Sequence, residues 1–185
     1  MTEAFDDDLM PLLEDDADQQ PSSADSVWKV LIVDDDEDVH QATKFALANT
    51  PILQRDLQFL HAHSASQAIE LLKSESDIAV ILLDVVMESE DAGLKLVRII
   101  REDLDITEAR IILRTGQPGY APEIDAIRDY DINDYKTKSE LSRNRLYTAL
   151  TAAIRSYKQI HMINSSRRGL DMVIRASGQL MLRQG

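Results

Sequence analysis

The sequence predicts an α/β domain, a parallel sheet of five strands with helices on both faces, continued by a long C-terminal helix. Three observations predict it. Short apolar runs recur from Trp28 onward and lack strict alternation, as expected of strands buried on both faces. A segment with apolar residues at helical spacing follows each run. This strand-then-helix order repeats five times, which favours a parallel sheet joined by right-handed crossovers.

The elements are expected in the following order. β1 covers Val30 to Val33, an apolar run ending in acids. α1 covers Asp38 to Ala48, with Val39, Ala42, Phe45 and Ala46 on its inward face. β2 runs from Leu57 to Ala62. α2 runs from Ser64 to Lys73, with Ser64 as N-cap and Ala68, Ile69 and Leu72 turned inward. β3 spans Ile78 to Leu83 and ends at Asp84. α3 spans Ala92 to Arg101 around Leu94, Val97 and Ile100. β4 covers Arg110 to Leu113. α4 covers Pro122 to Arg128, with the proline in its first turn. β5 covers Tyr130 to Tyr135. α5 starts at Ser139 and continues past residue 160.

Two stripes divide α5. Leu146, Leu150, Ile154 and Tyr157 form one, suited to packing on the domain. Ile160, Ile163, Arg167, Leu170, Ile174, Ser177 and Met181 form another, at alternating spacings of three and four. The second stripe reads as a coiled-coil seam with polar breaks at Arg167 and Ser177, and predicts a parallel homodimer. The domain division that follows is an acidic disordered tail over 1–26, a folded domain over 27–157 and a linking helix over 158–185.

Charge is unevenly placed. The net charge is −13. Residues 1–25 hold nine acids and no Lys or Arg, whereas residues 143–185 hold eight basic residues and one acid. An acidic body repels phosphate backbones, so direct nucleic-acid binding is not expected. No run of about 18 apolar residues predicts a membrane span. Cysteine is absent, which excludes disulfides and thiolate metal sites. A cytoplasmic location is expected.

The chemistry gathers at strand ends. β1 ends in Val33-Asp34-Asp35-Asp36, β3 at Asp84, and β4 in Leu113-Arg114-Thr115-Gly116. Tyr135-Lys136-Thr137-Lys138 follows β5. In a parallel sheet these ends share one edge, where ligands bind. Carboxylates gathered there repel one another, and a divalent cation relieves this. An all-oxygen ligand set favours Mg2+. Thr115 supplies a hydroxyl and Lys138 a point charge for a phosphoryl oxygen. Asp84 is placed as a carboxylate nucleophile. His61 and His63 share a strand face, but no further metal ligand is evident from the sequence beside them. His40 reads as a surface helix residue.

These residues resemble the response-regulator receiver domains over roughly Trp28 to Tyr157. The match lies in the acid pair after β1, the lone Asp after β3, the Thr-Gly after β4 and the Tyr-x-x-Lys after β5. The resemblance implies a flavodoxin-like doubly wound sheet of strand order 2-1-3-4-5. It implies that Asp84 is the phospho-acceptor. Mg2+ would be held by Asp34, Asp35, Asp84 and the backbone carbonyl of Val86. Thr115 would be the switch hydroxyl, Lys138 the phosphoryl-sensing lysine and Tyr135 the rotating aromatic. The implied partner is a sensor histidine kinase or phosphotransfer protein. Dimerisation would use the α4-β5-α5 face and the C-terminal helix.

DVVMESEDAGLKLVRIIRE, RIILRTGQPG and YDINDYKTKSEL further resemble receivers that precede a domain of unknown function and then a cyclic-di-GMP enzyme, HD-GYP or GGDEF. SSRRGLDMVIRASGQL is similar to the start of that middle domain, with the output module lying outside this chain. Two departures stand out: Glu88 follows Met87 where the family often has proline, and Ser139 follows Lys138 where most members have proline. By this reading the chain is not an enzyme beyond limited self-phosphorylation and self-dephosphorylation. The alternatives are an aspartyl-phosphate phosphatase of the haloacid dehalogenase type and a pseudo-receiver that binds partners without phosphorylation.

Overall fold

A computed structural model describes residues 27–115, 132–137 and 142–182, with the backbone alone over 132–137 and 176–182. The segment expected to form α4, and Lys138 with its following peptide bond, lie outside the described residues. Five parallel strands form one sheet in the order β2-β1-β3-β4-β5. The observed strands are Val27–Val33, Asp56–Ala62, Ile78–Asp84, Arg110–Thr115 and Ile132–Thr137. β5 thus lies two residues later than its apolar pattern suggests.

The alternation of strand side chains splits the core in two. One half gathers Leu31, Val33, Ile81, Leu83, Ile111 and Leu113 beneath α2 (Ala65–Ser74) and α3 (Ala92–Arg98). The other gathers Trp28, Val30, Ile32, Val80, Leu82 and Ile112 with Leu146, Leu150, Ile154 and Tyr157 of α5. β3 is buried along its whole length because it is central and covered on both faces. Ser64 caps α2 as expected, its hydroxyl accepting from the Gln67 amide at 3.2 Å.

α1 departs from expectation. It runs over Glu37–Ala46 behind an Asp36 cap and buries His40 and Thr43, while Phe45 is 86% exposed and Ala42 also faces water. The reason is what lies beneath it. The sheet presents polar groups there, so polar side chains face inward and the apolar ring is left outside. His40 is therefore a buried residue, not a surface one.

α3 ends at Arg98 and passes into a π-helical turn, Ile99–Asp103, in which the Leu104 amide donates to Ile99 O at 2.9 Å. α5 runs unbroken over Arg143–Leu182. Beyond Tyr157 it stays tied to the domain through Glu108. That carboxylate contacts His161 Nδ1 at 2.7 Å, Asn164 Nδ2 at 3.0 Å and Arg168 Nη1 at 3.4 Å. Further on, Leu170, Met172, Val173 and Ile174 are exposed. Among the described residues, no helix is long and apolar enough to cross a membrane.

Candidate functional site

Strand register builds the site. β1 and β3 pair Val33 with Leu83, so Asp34 and Asp84 leave the sheet side by side. β3 and β4 pair Asp84 with Arg114, and Thr115 comes next. Asp34, Asp84, Arg114 and Thr115 are all buried, whereas Asp35 is exposed. Carboxylate oxygens of Asp34, Asp35 and Asp84 lie within 4.8 Å of one another, the one such metal-competent group among the described residues. Hard oxygen donors this close fit a small divalent cation such as Mg2+.

Local contacts fix the acids. Asp34 Oδ1 accepts from the Asp36 amide at 3.0 Å, and Asp84 Oδ1 from the Val86 amide at 3.4 Å. Asp36 is spent as a helix cap, accepting from the Asp38 amide at 2.9 Å. Gly93 lets α3 approach the end of β3: its amide donates to Val85 O at 3.0 Å, and an added Cβ would meet Asp84 O at 2.1 Å. Glu88 has a definite task in place of the common proline. Its Oε1 accepts from the Ala65 amide at 2.9 Å, tying the loop after β3 to the start of α2.

Arg114 is the residue the sequence reading quoted but gave no role. Its Nη2 lies 3.5 Å from Asp34 Oδ2, and Nη1 donates to Thr43 Oγ1 at 3.1 Å. Burial pushes its pKa down, opposed by Asp34 and then Asp84. A guanidinium remains charged even so. Strand parity was the available signal, because Arg114 falls two positions after Ile112 and shares its face.

A histidine cluster lies beside Asp34. His40 Nε2 is 2.8 Å from Asp34 O and His40 Nδ1 is 2.9 Å from His61 Nδ1. A carbonyl only accepts, so His40 donates to Asp34 O from Nε2, and its Nδ1 shares one proton with His61 Nδ1. Burial, then the neighbouring His40, Lys44 and His63, lower the His61 pKa. The His63 ring lies tilted against that of His40, 4.3 Å between centroids, and its Nε2 is 3.6 Å from Glu37 Oε2. These rings tie α1 to the β1 and β2 ends.

Tyr135 pairs with Leu113 and Thr137 with Thr115 in the β4–β5 register. The Tyr135 side chain and Lys138 lie outside the described residues. At the opposite end of the sheet, a groove of about 520 Å³ runs between α5 and Trp28, remote from the acids.

Residues 30–151 match the family described as the response regulator receiver domain, and residues 150–185 match a domain of unknown function, DUF3369. The 3'3'-cGAMP-specific phosphodiesterase 2 of Vibrio cholerae is 45% identical over 153 residues, 83% of this chain and 29% of that protein. The chain thus spans less than a third of that relative's length. A CheY-like response regulator receiver domain protein from Methanospirillum hungatei is 27% identical with a TM-score of 0.59, covering 71% of this chain and 97% of that one. The signal receiver domain of an HD domain-containing protein from Pseudomonas fluorescens is 26% identical with a TM-score of 0.59, covering 71% of this chain and 98% of that one.

Proposed function

We propose that this chain, which belongs to the response regulator receiver family, accepts a phosphoryl group on Asp84 from a histidine kinase or phosphotransfer protein. The observation that carries the reading is the buried Asp84 carboxylate, grouped with those of Asp34 and Asp35 and one residue along the register from Thr115. An Asp84 oxygen forms the new bond to phosphorus while the donor's P–N bond breaks, and the bonding pair stays on the donor imidazole. Asp34, Asp35, Asp84 and the Val86 carbonyl would hold Mg2+, which neutralises charge on the transferring group. The Thr115 hydroxyl and Lys138 then bind phosphoryl oxygens, and Tyr135 turns toward the space that Thr115 leaves.

In this reading residues 1–26 are a tail, 27–157 the receiver and 158–185 a signalling helix. The chain relays its state rather than turning over a substrate. The output it serves is cyclic-dinucleotide turnover, supported by the Vibrio cholerae relative and by the DUF3369 match. The exposed apolar residues Ile163, Leu170 and Ile174 support self-association through α5. A phosphatase using Asp34 and Asp36 as a D-x-D pair is disfavoured, because Asp36 is engaged as the α1 cap.

Incubation with acetyl phosphate and Mg2+, followed by intact-mass measurement, tests the function. One added phosphate that disappears in Asp84→Asn is the expected result. Steady turnover of a phosphate ester, or no adduct at all, would refute it.

A further inference from the structure

We propose that Arg114 is a built-in counter-cation of the acid site: it holds Asp34, weakens binding of a divalent cation to the unphosphorylated site, and offsets the charge that arrives with phosphorylation. This rests on the phosphoryl-acceptor reading above.

Arg114 is 0% exposed and sits beside Asp84 in the strand register. A charge that deep is costly unless opposed, and an apolar side chain of similar volume would fill the space without the cost. What opposes it is anionic: Asp34 at 3.5 Å and, to a smaller extent, Asp84. One nitrogen, Nη1, donates a hydrogen bond to Thr43 Oγ1 at 3.1 Å, and that hydroxyl in turn donates to Val39 O at 2.7 Å. Among the described residues, Nε and Nη2 have no hydrogen-bond acceptor. Packing and hydrogen bonding therefore do not explain an arginine at this place, whereas electrostatics does.

The direction of the effect follows from charge. Without an ion, Arg114 cancels part of the repulsion among three carboxylates. A divalent cation entering the same site is repelled by Arg114 and must share Asp34 with it. Phosphorylation replaces the Asp84 carboxylate charge with a phosphoryl group of roughly −2. The site is then more negative, and a fixed cation favours it. Arg114 thus biases the site away from the metal-bound resting form and toward the phosphorylated form. It acts through Asp34 and is a positioning residue.

The test is a calorimetric Mg2+ titration of the full chain as parent, Arg114→Met, Arg114→Lys and Thr43→Val. Arg114→Met should bind Mg2+ more tightly, on the order of ten-fold, the scale expected for removing a unit charge beside a dication at a partly screened site. Arg114→Lys keeps the charge and should stay near the parent, as should Thr43→Val, which loses only the hydroxyl. At saturating Mg2+, Arg114→Met should bind beryllofluoride more weakly than the parent.

A residue that merely props the site open would give the opposite sign, with weaker Mg2+ binding on its loss. Equal or weaker binding in Arg114→Met overturns the proposal. If that variant does not fold, Arg114→Gln, which keeps a donor for Thr43, carries the same expectation and the same refutation. A parent that takes no phosphate on Asp84 refutes the function reading. A phosphorylated parent with unaltered Mg2+ affinity in the neutral variants refutes only the role of Arg114.

Discussion

Replacing Gly93 with alanine should damage both stability and the acceptor site. The added Cβ would lie 2.1 Å from Asp84 O, 2.7 Å from Val85 Cα and 2.9 Å from Asp84 C. All three are backbone atoms at the end of β3, so no flexible side chain can give way. Forcing an atom against rigid backbone at such distances falls in the upper part of the overpacking range, about 2–3 kcal/mol, against a helix-propensity gain of about 1 kcal/mol for alanine over glycine. A net loss of about 1–2 kcal/mol corresponds to a fall in Tm of roughly 2–8 °C for a domain of this size. Gly169 is the control. It lies within α5 with no heavy atom within 4 Å of a built Cβ, so Gly169→Ala should gain helicity without loss of stability. Thermal melts by circular dichroism, paired with phosphate incorporation from acetyl phosphate, read both effects. A Gly93→Ala protein that melts with the parent and is phosphorylated as fully would refute the argument that α3 packs against the acceptor strand through this glycine.

Three further outcomes are expected. Asp35→Ala should weaken Mg2+ binding by at least about ten-fold while the fold survives, because Asp35 is exposed and its carboxylate is one of the grouped three; unchanged affinity in a Mg2+ titration would remove it from the metal site. Ile163→Glu and Ile174→Glu should lower self-association in sedimentation, since both are more than half exposed and the change sets like charges in the seam; association equal to the parent's would exclude that seam. Burial alone would raise the Glu108 pKa, but hydrogen bonds from His161 and Asn164, with the charges of His161 and Arg168, outweigh it and hold the group below its ordinary 4.5. A depressed folded pKa gives stability that is present above 4.5 and lost as pH falls through the folded value. Glu108→Gln should therefore lower stability by about 0.5–1 kcal/mol at neutral pH, with the difference from the parent vanishing in stronger acid, as denaturant melts across pH would show.

What the sequence disclosed depended on how local the cause was. The ILL run of β3 is apolar because both faces are covered, so the strand and Asp84 at its end were plain. Ser64 followed by a helical period announced its own cap. The inward face of α1 was hidden because its partners are distant in the chain: Thr43 meets Arg114, 71 residues away. No periodicity argument reaches that far, and counting apolar residues turned the helix the wrong way, toward Phe45. His61 and His63 were seen to share a face, but the third ring comes from α1, so the cluster depended on the same missing orientation. The π turn after Arg98 adds a residue to a turn and leaves no compositional trace. Glu88 looked like a departure until its contact with the Ala65 amide showed what holds that loop. The expected roles of Tyr135 and Lys138 concern side chains outside the described residues.

β4 joins the two ends of the molecule that matter here. Arg114 and Thr115 close it at the acid site, and Glu108, two residues before its start, clasps α5 at the other end. It is tempting to read the strand as a rod that transmits motion between them. The pairing argues otherwise. β4 is bonded to β3 on one side and to β5 on the other, so sliding it by one residue would break both ladders and turn every buried side chain to the opposite face. Leu113 and Ile111 would exchange cores with Ile112, which packing at this density does not permit. In the proposed switch, then, Thr115 changes by side-chain movement while the strand stays in place, and Glu108 serves as a fixed post for α5. Arg114 is likewise fixed to β4, yet it touches α1 through Thr43 and the end of β1 through Asp34, and so links the acid site to a helix whose buried face is polar.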